Sequence, residues 1–457
     1  MNQKRREFGV LIAMAPLALA LTGCMVIQSG SVTSALVSRG SSSAAPSKPE
    51  TAPASNAIAE AWPERWGRAG ERVKGVIEPV EGPLDSLVGV RLGEHHQLRA
   101  AEEERDAIAR LASGETDVGL YRFRAEGPGS FVFVKRRSDP NDPRPVENRV
   151  ADGAGPDEPA ELFRFVSAQR AEEIGGVPHL EIERTWFALY DPAPNAGARG
   201  TIVLLPGMFG TPEPIIHSTV RRLRAAGWTV LRMLSHPGRF TQKSTFEVDP
   251  ADLEEAGATI AAVFNQRAAE VAFSVEGALG HVHQTRPALE TKRHVLLGMS
   301  GGAMALPTVY ARTPELFDGA IFIAGGVNFL QINMQSNYAN WIDSVELDWT
   351  DGSPSIADRD DLIEAYLTHG LLDGAHTAPL LQTKPVLVLH AARDKAVPAA
   401  SGEELWRLLG EPERWVFPVG HELIFGALPL QLNRLVAWLS EHIPAAETRG
   451  DVRETES

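Results

Sequence analysis

The chain has 457 residues, 43% apolar and 23% charged, the composition of a globular protein of one large or two ordinary domains. Lys plus Arg number 44 against 59 Asp plus Glu, a formal charge of −15, and so acidic a surface argues against nucleic acid as a partner. Cys24 is the only cysteine, which excludes an intramolecular disulfide and a cysteine-based metal cluster.

At the N-terminus, Lys4, Arg5 and Arg6 precede an apolar run at 10–21, the charge and length of a secretory signal, so residues 1–23 are set apart from the fold. The string that closes the run, Leu21-Thr22-Gly23-Cys24, resembles the lipobox of bacterial lipoproteins. That resemblance implies export, a diacylglyceryl thioether on Cys24, and a mature chain that begins there and is held to a membrane by its lipid. Met25 after the cysteine, where inner-membrane lipoproteins carry Asp, resembles the outer-membrane sorting pattern. No later apolar stretch approaches the roughly 20 residues of a spanning helix, so the mature chain is expected to be anchored rather than integral.

Residues 24–59 are expected to be a disordered tether. Positions 28–59 hold Ser, Ala, Pro, Gly or Thr at 23 of 32 places and no aromatic, too little apolar surface to offset the entropy of ordering. Loss of residues 1–23 removes three positive charges and one negative, leaving a body of −17 that is poorly suited to lie on anionic lipid.

Residues 60–160 read as an N-terminal extension with a linker. Within it the pattern predicts a helix over 98–111 stopped by Gly114, and a hairpin of 120–124 with 131–134 around Glu126-Gly127-Pro128-Gly129-Ser130. Five prolines and four aspartates mark 138–160 as the linker. Residues 60–137 are open to three roles: extra sheet edge, pocket wall or partner surface.

Residues 161–445 form the main domain. It begins with two strands, the second over 180–190, ended by Asp191-Pro192. From residue 199, apolar runs at 201–205, 229–234, 294–297, 320–324, 386–390 and 415–419 alternate with helical patterns at 216–226, 252–277, 302–312 and 424–442. Runs of this kind suit strands buried on both faces, and the alternation predicts right-handed crossovers in a doubly wound, mostly parallel α/β sheet. Residues 327–384 exceed one crossover and carry Phe329, Tyr338, Trp341, Trp349 and Tyr366, which predicts an inserted cap. Residues 446–457 are charged and expected to form a flexible tail.

Gly298-Met299-Ser300-Gly301-Gly302 follows one strand pattern and opens a helix pattern, the setting in which a G-x-S-x-G match carries weight. A sharp strand-to-helix turn needs small neighbours around the serine, and the helix N-terminus turns free amides toward a developing oxyanion. A serine hydroxyl needs a base, and the base an orienting group. Asp394, in Arg393-Asp394-Lys395-Ala396-Val397-Pro398, and His421, in Gly420-His421, follow the next two strands in the order Ser, acid, His.

Over about residues 180–445 the chain resembles the α/β-hydrolase superfamily, on the elbow, the acid loop and the Gly-His after the last strand. The resemblance implies that Ser300 is nucleophile, His421 base and then acid, and Asp394 the orienting carboxylate. It implies an oxyanion hole from the Gly301 amide and the loop 205–210, with Gly207 and Met208 as candidates. That loop has Pro206-Gly207 where family members often carry His-Gly.

Among other residues, His390 is expected to pack behind the acid loop. His217 and His236 lie near strand ends, with His236 a candidate pocket wall. His281 and His283, two apart on a helix, face apart and make no metal pair. Asp318 and Asp373 are weaker acids for the triad, Glu422 reads as solvated, and Met208 and Met299 as space-filling.

The reading is a serine hydrolase, with carboxylic ester hydrolysis through an acyl-enzyme as the default and a small-molecule or lipid-like acyl compound as substrate. Acyl transfer or peptide cleavage on the same triad, and a scaffold that keeps the fold without turnover, stay open. No cofactor motif is present: no G-x-G-x-x-G after a strand, no phosphate loop, no H-E-x-x-H, and so no cofactor or metal is expected.

Overall fold

The computed structural model describes residues 55–62, 75–79, 94–99, 159–170 and 179–445, the last with short gaps at 209–210, 235, 238–239, 241–242 and 339–343. In chain order the elements are α1 (Ser55–Glu60), β1 (Gly75–Pro79), β2 (Glu94–Arg99), β3 (Glu161–Arg170), β4 (His179–Tyr190), β5 (Gly200–Leu205), α2 (Glu213–Ala225), β6 (Trp228–Met233) and β7 (Ser244–Val248). They continue as α3 (Leu253–Thr285), β8 (Arg293–Met299), α4 (Gly301–Arg312), β9 (Gly319–Ile323), α5 (Phe329–Gln335), β10 (Val345–Trp349), α6 (Ile356–His369), α7 (Gly374–Thr377), β11 (Val386–Ala391), α8 (Ala399–Leu408), β12 (Glu413–Phe417) and α9 (His421–His442).

β5, β6 and β11 are buried at every residue and β8 at all but its first, because helices cover both faces. These are the continuous apolar runs of the sequence, and they pair in parallel in the order β6-β5-β8-β9-β11-β12. On the other flank β4 runs antiparallel to β6 and to β3. The order β3-β4-β6-β5-β8-β9-β11-β12, with its second strand reversed, is that of the α/β-hydrolase fold. The core lies in two layers. Val203, Leu296, Val309 and Phe322 belong to one, Ile202, Leu204, Val295 and Leu297 to the other, as the two-residue side-chain period of a strand requires.

Two pieces of the N-terminal extension join this sheet: β1 pairs with β3, and β2 with the first half of β4. Leu98 and Arg99, expected to begin a helix, instead end β2, where pairing with β4 overrides helical spacing. Residues 100–111 of that helix, the hairpin at 120–134, most of the linker, the tail and Cys24 lie outside the described residues. At the end of the expected tether, residues 55–59 are helical in α1, and Ile58 is buried in the core. Trp62, just beyond, meets the buried guanidinium of Arg312 at 5.1 Å, and Arg312 pairs with Glu276 at 2.8 Å.

Against the expectation that no later stretch approaches spanning length, α9 among the described helices is long and apolar enough to cross a bilayer by length and composition. It lies on the sheet, burying Ile424, Phe425, Leu428, Leu432, Leu435, Trp438 and Leu439. Helix α3 runs eight residues past the expected 277, and α9 starts three before the expected 424, so that His421 opens it.

The cap has two sources, where the sequence suggested one. Residues 324–385 leave the sheet between β9 and β11, but β10 within them pairs in parallel with β7, from the connection between β6 and α3. Aromatic rings join the pieces: Phe240 meets Phe329 edge-on at 5.8 Å, and Phe264 of α3 meets Phe329 and Tyr366 at 5.8 and 5.7 Å. Asp373 binds the cap together, accepting from the amides of Asn328, Phe329 and Ala375 and from the Tyr366 hydroxyl, all at 2.7–2.8 Å. Burial and the facing carboxylate raise the Tyr366 hydroxyl well above its usual pKa, so it stays a donor. Trp341 lies outside the described residues.

Candidate active site

Ser300 stands between β8 and α4 at φ 52°, ψ −120°, a conformation that costs a non-glycine residue about 1–3 kcal/mol. The surroundings hold it there: its amide donates to the Ile323 carbonyl at the end of β9, 2.8 Å away, and its carbonyl accepts from Met304. The turn is too tight for side chains at its shoulders. A Cβ on Gly298 would lie 2.6 Å from Cα of Ala303, and one on Gly302 2.4 Å from the Pro206 oxygen. These two glycines let the elbow close and the loop after β5 press against α4.

Asp394 follows β11 and is 7% exposed. Its Oδ1 accepts from the amides of Ala396 and Val397, each at 2.9 Å, which fixes the carboxylate and leaves Oδ2 facing His421. The loop after β12 is tied to the same turn, Ala392 and Arg393 donating to the carbonyls of Phe417 and Val419. His421, also 7% exposed, is held edge-on by Phe425 at 5.2 Å and by Tyr338 of the cap at 6.1 Å.

The three side chains meet. His421 Nδ1 lies 2.7 Å from Asp394 Oδ2, and Nε2 lies 2.9 Å from Ser300 Oγ. A carboxylate only accepts, so Nδ1 carries the hydrogen and Nε2 of the neutral ring is left to accept from the serine hydroxyl. That is the tautomer in which a base can take the serine proton.

Gly301 is the first residue of α4, and amides in a helix's first turn have no intrahelical acceptor. A Cβ on Gly301 would sit 3.0 Å from the Met208 nitrogen, so these two residues adjoin beside the serine. Gly207, the other oxyanion candidate, is turned elsewhere: its amide donates to Thr211 Oγ1 at 3.2 Å, inside its own loop. The loop bends back on itself there, which the identity of the glycine could not reveal. Met208 also borders a narrow cavity with Phe240, Phe264, Arg267, Ala268, Phe329 and Ser344.

The remaining candidates fall away from the relay. His390 packs under α8, its Nδ1 3.0 Å from where a Cβ on Gly402 would be, and burial, then the Arg414 charge, lower its pKa. Asp318 lies at the opposite end of the sheet, holding Arg293 at 2.7 Å and the His294 amide at 2.9 Å. Asp373 serves the cap, Glu422 is exposed, Met299 is buried in the core, and His217 lies on α2. His281 and His283 do point apart: His281 meets Glu161 at 2.5 Å, while His283 meets His294 at 2.7 Å, Nε2 to Nε2. Among the described residues no group of three or more His, Cys, Asp or Glu is arranged to hold a metal ion.

Of the residues that bear on the site, sequence reasoning missed Tyr338 as a neighbour of His421, Thr211 as the partner of Gly207, and the contact of His236 with Pro206. The first and last are contacts between distant segments and the second lies within one loop; His236 carried a signal in its position just past a strand, and Tyr338 as one of the cap's aromatics.

No family model and no curated protein matches the chain. Among solved structures it is similar to an acylaminoacyl peptidase from Pyrococcus horikoshii, 14% identical, with 63% of this chain and 43% of that one covered and a TM-score of 0.39. It is also similar to Est1E from Butyrivibrio proteoclasticus, 14% identical over 60% and 98% of the two chains, TM-score 0.39. A cold-adapted esterase from an Arctic intertidal metagenomic library is 17% identical over 62% and 94%, TM-score 0.36. The chain therefore spans less than half the length of the peptidase.

Proposed function

We propose that this protein is an exported, lipid-anchored serine hydrolase that cleaves carboxylic esters through an acyl-enzyme. One observation carries the catalytic part: a serine in a strained elbow within 2.9 Å of an imidazole whose other nitrogen is 2.7 Å from a buried carboxylate.

In the mechanism, His421 Nε2 takes the Ser300 proton as Oγ attacks the ester carbonyl. The carbonyl oxygen becomes an oxyanion, received by the amides of Gly301 and Met208. Asp394 stabilises the imidazolium, its own charge held by the two amides on Oδ1. The imidazolium protonates the leaving alcohol, the carbonyl re-forms, and the acyl group stays on Oγ. A water deprotonated by His421 then attacks, and the acid leaves as the proton returns to Ser300.

For localisation, the reading rests on the basic n-region, the apolar run and the Leu21–Cys24 string, and assigns the body to the periplasmic side of the outer or inner membrane. Labelling with a fluorophosphonate and turnover of a panel of p-nitrophenyl acyl esters test the enzyme; wild-type protein inert to both sinks it. Cys24→Ser should abolish partition into detergent, and unchanged partition rejects the lipid.

A further inference from the structure

His236 lies outside the relay and outside the sheet, on the connection that leaves β6. It is 2% exposed, and its ring stacks on Phe240 with centroids 4.4 Å apart. Its Nε2 lies 2.9 Å from the carbonyl oxygen of Pro206. A carbonyl only accepts, so Nε2 carries the hydrogen and donates it.

That carbonyl belongs to the same peptide plane as the Gly207 amide, and the Gly207 amide donates to Thr211 Oγ1. One plane is thus gripped on both sides, by an imidazole and by a hydroxyl. The next amide along the chain is Met208, which adjoins Gly301. The loop has little slack toward α4, since a Cβ on Gly302 would lie only 2.4 Å from the same Pro206 oxygen. Only the two dihedrals of Gly207 separate that plane from the Met208 N–H, so freeing the Pro206–Gly207 plane leaves the Met208 N–H free to turn as well.

We infer that His236 is a positioning residue for the oxyanion hole: by holding Pro206 it aims the Met208 amide at the oxyanion. The inference rests on the hydrolase reading above. Burial lowers the pKa of His236 to about 4, so the ring is neutral at neutral pH. Phe240, stacked on the ring, also lines the cavity with Met208 and touches Phe329, so the same residue joins the oxyanion loop to the cap.

The test compares wild type with His236→Ala and His236→Gln, since a glutamine amide can place a donor near the position of Nε2. Loss of one oxyanion donor costs about 100- to 1,000-fold, and a misaimed donor should cost less. His236→Ala should lower kcat about 10- to 100-fold with KM within twofold, and weaken binding of a trifluoromethyl ketone in parallel; His236→Gln should recover most of kcat. A rise in KM with kcat unchanged, or an equal fall of kcat in two folded variants, overturns the inference. Where His236→Ala fails to fold, His236→Gln decides: kcat within fivefold of wild type supports the role and a hundredfold loss overturns it. Should wild type prove inert to esters and fluorophosphonate, the hydrolase reading fails by itself. Hydrogen exchange over residues 206–211 then judges the clamp: faster exchange in His236→Gln or His236→Ala than in wild type supports it, and unchanged exchange overturns it.

Discussion

The rim of the sheet and the cap above it are built in different ways. At the rim each candidate side chain sits one to four residues past a parallel strand, and much of its environment is local. The elbow's glycines flank Ser300, the amides that hold Asp394 are two and three residues on, and His421 opens the helix that buries Phe425. In the cap the main contacts span the chain: β7 pairs with β10 about a hundred residues away, and Phe240 meets Phe329. A rim built mainly from local rules leans on the cap at two places, Tyr338 against His421 and Phe240 against His236. A cap tied by long-range contacts is free to differ in shape and to set what reaches the rim.

The strongest test of the comparison is at the rim. Ser300→Ala should lower ester turnover by about a millionfold if the relay acts as a unit, with the melting temperature little changed, since alanine keeps the Cβ and with it the strained elbow. A loss under a hundredfold would place the chemistry elsewhere. The cap's counterpart is Asp373→Ala, which strips acceptors from three amides and a tyrosine hydroxyl. At about 1–3 kcal/mol for each buried donor left unpaired, partly offset by water entry, a loss of about 3–5 kcal/mol in chemical unfolding is expected. If the rim is locally determined, fluorophosphonate labelling of the folded fraction should survive this change.

Acid should weaken the fold at two buried histidines, one under the cap and one at the end of the sheet away from the rim. His236, under the cap, and His294, at the far end of β8, are held by burial to pKa values of about 4, and the His283 charge adds to the effect at His294. The unfolded chain takes up these protons near 6.5 while the folded chain resists until about 4. Stability is therefore full above pH 6.5 and falls as pH drops toward 4, by roughly 3 kcal/mol for each histidine. Urea unfolding at pH 7 and pH 4.5 measures the loss, and flat stability across that window would contradict the burial of both rings. The smallest effect belongs to the cap's surface. Glu346 is exposed and pairs with Lys243 at 3.0 Å across β10 and β7, which lowers its pKa by the Lys243 hydrogen bond first. Glu346→Ala should leave the melting temperature unchanged within error, because water and salt screen such a pair.

The rim was legible before any coordinates because its signals are short in sequence. An apolar run, a small-residue elbow and an Asp or His just past the next runs describe positions that a parallel sheet must bring to one edge. What stayed illegible has a common cause. Leu98 and Arg99 carry helical spacing but complete a strand whose partner is 80 residues on, and Ile58 sits in a stretch of tether-like composition yet finds a place in the core. The second half of the cap depends on a strand pairing that no local pattern announces, whereas the Gly207 amide is turned by Thr211, four residues on, through a loop conformation that spacing does not encode.

By itself, then, the sequence determined the sheet's parallel half, the strand ends that carry Ser300, Asp394 and His421, and the tight turn that strains the serine, because burial on two faces and steric limits at a turn act over a few residues. Tertiary structure alone decided which amide after β5 stands beside Gly301, where His236 is anchored, and how two distant excursions join over the site. Those outcomes depend on which groups meet across the chain, and a hydrogen bond between loops is not written in the spacing of either one.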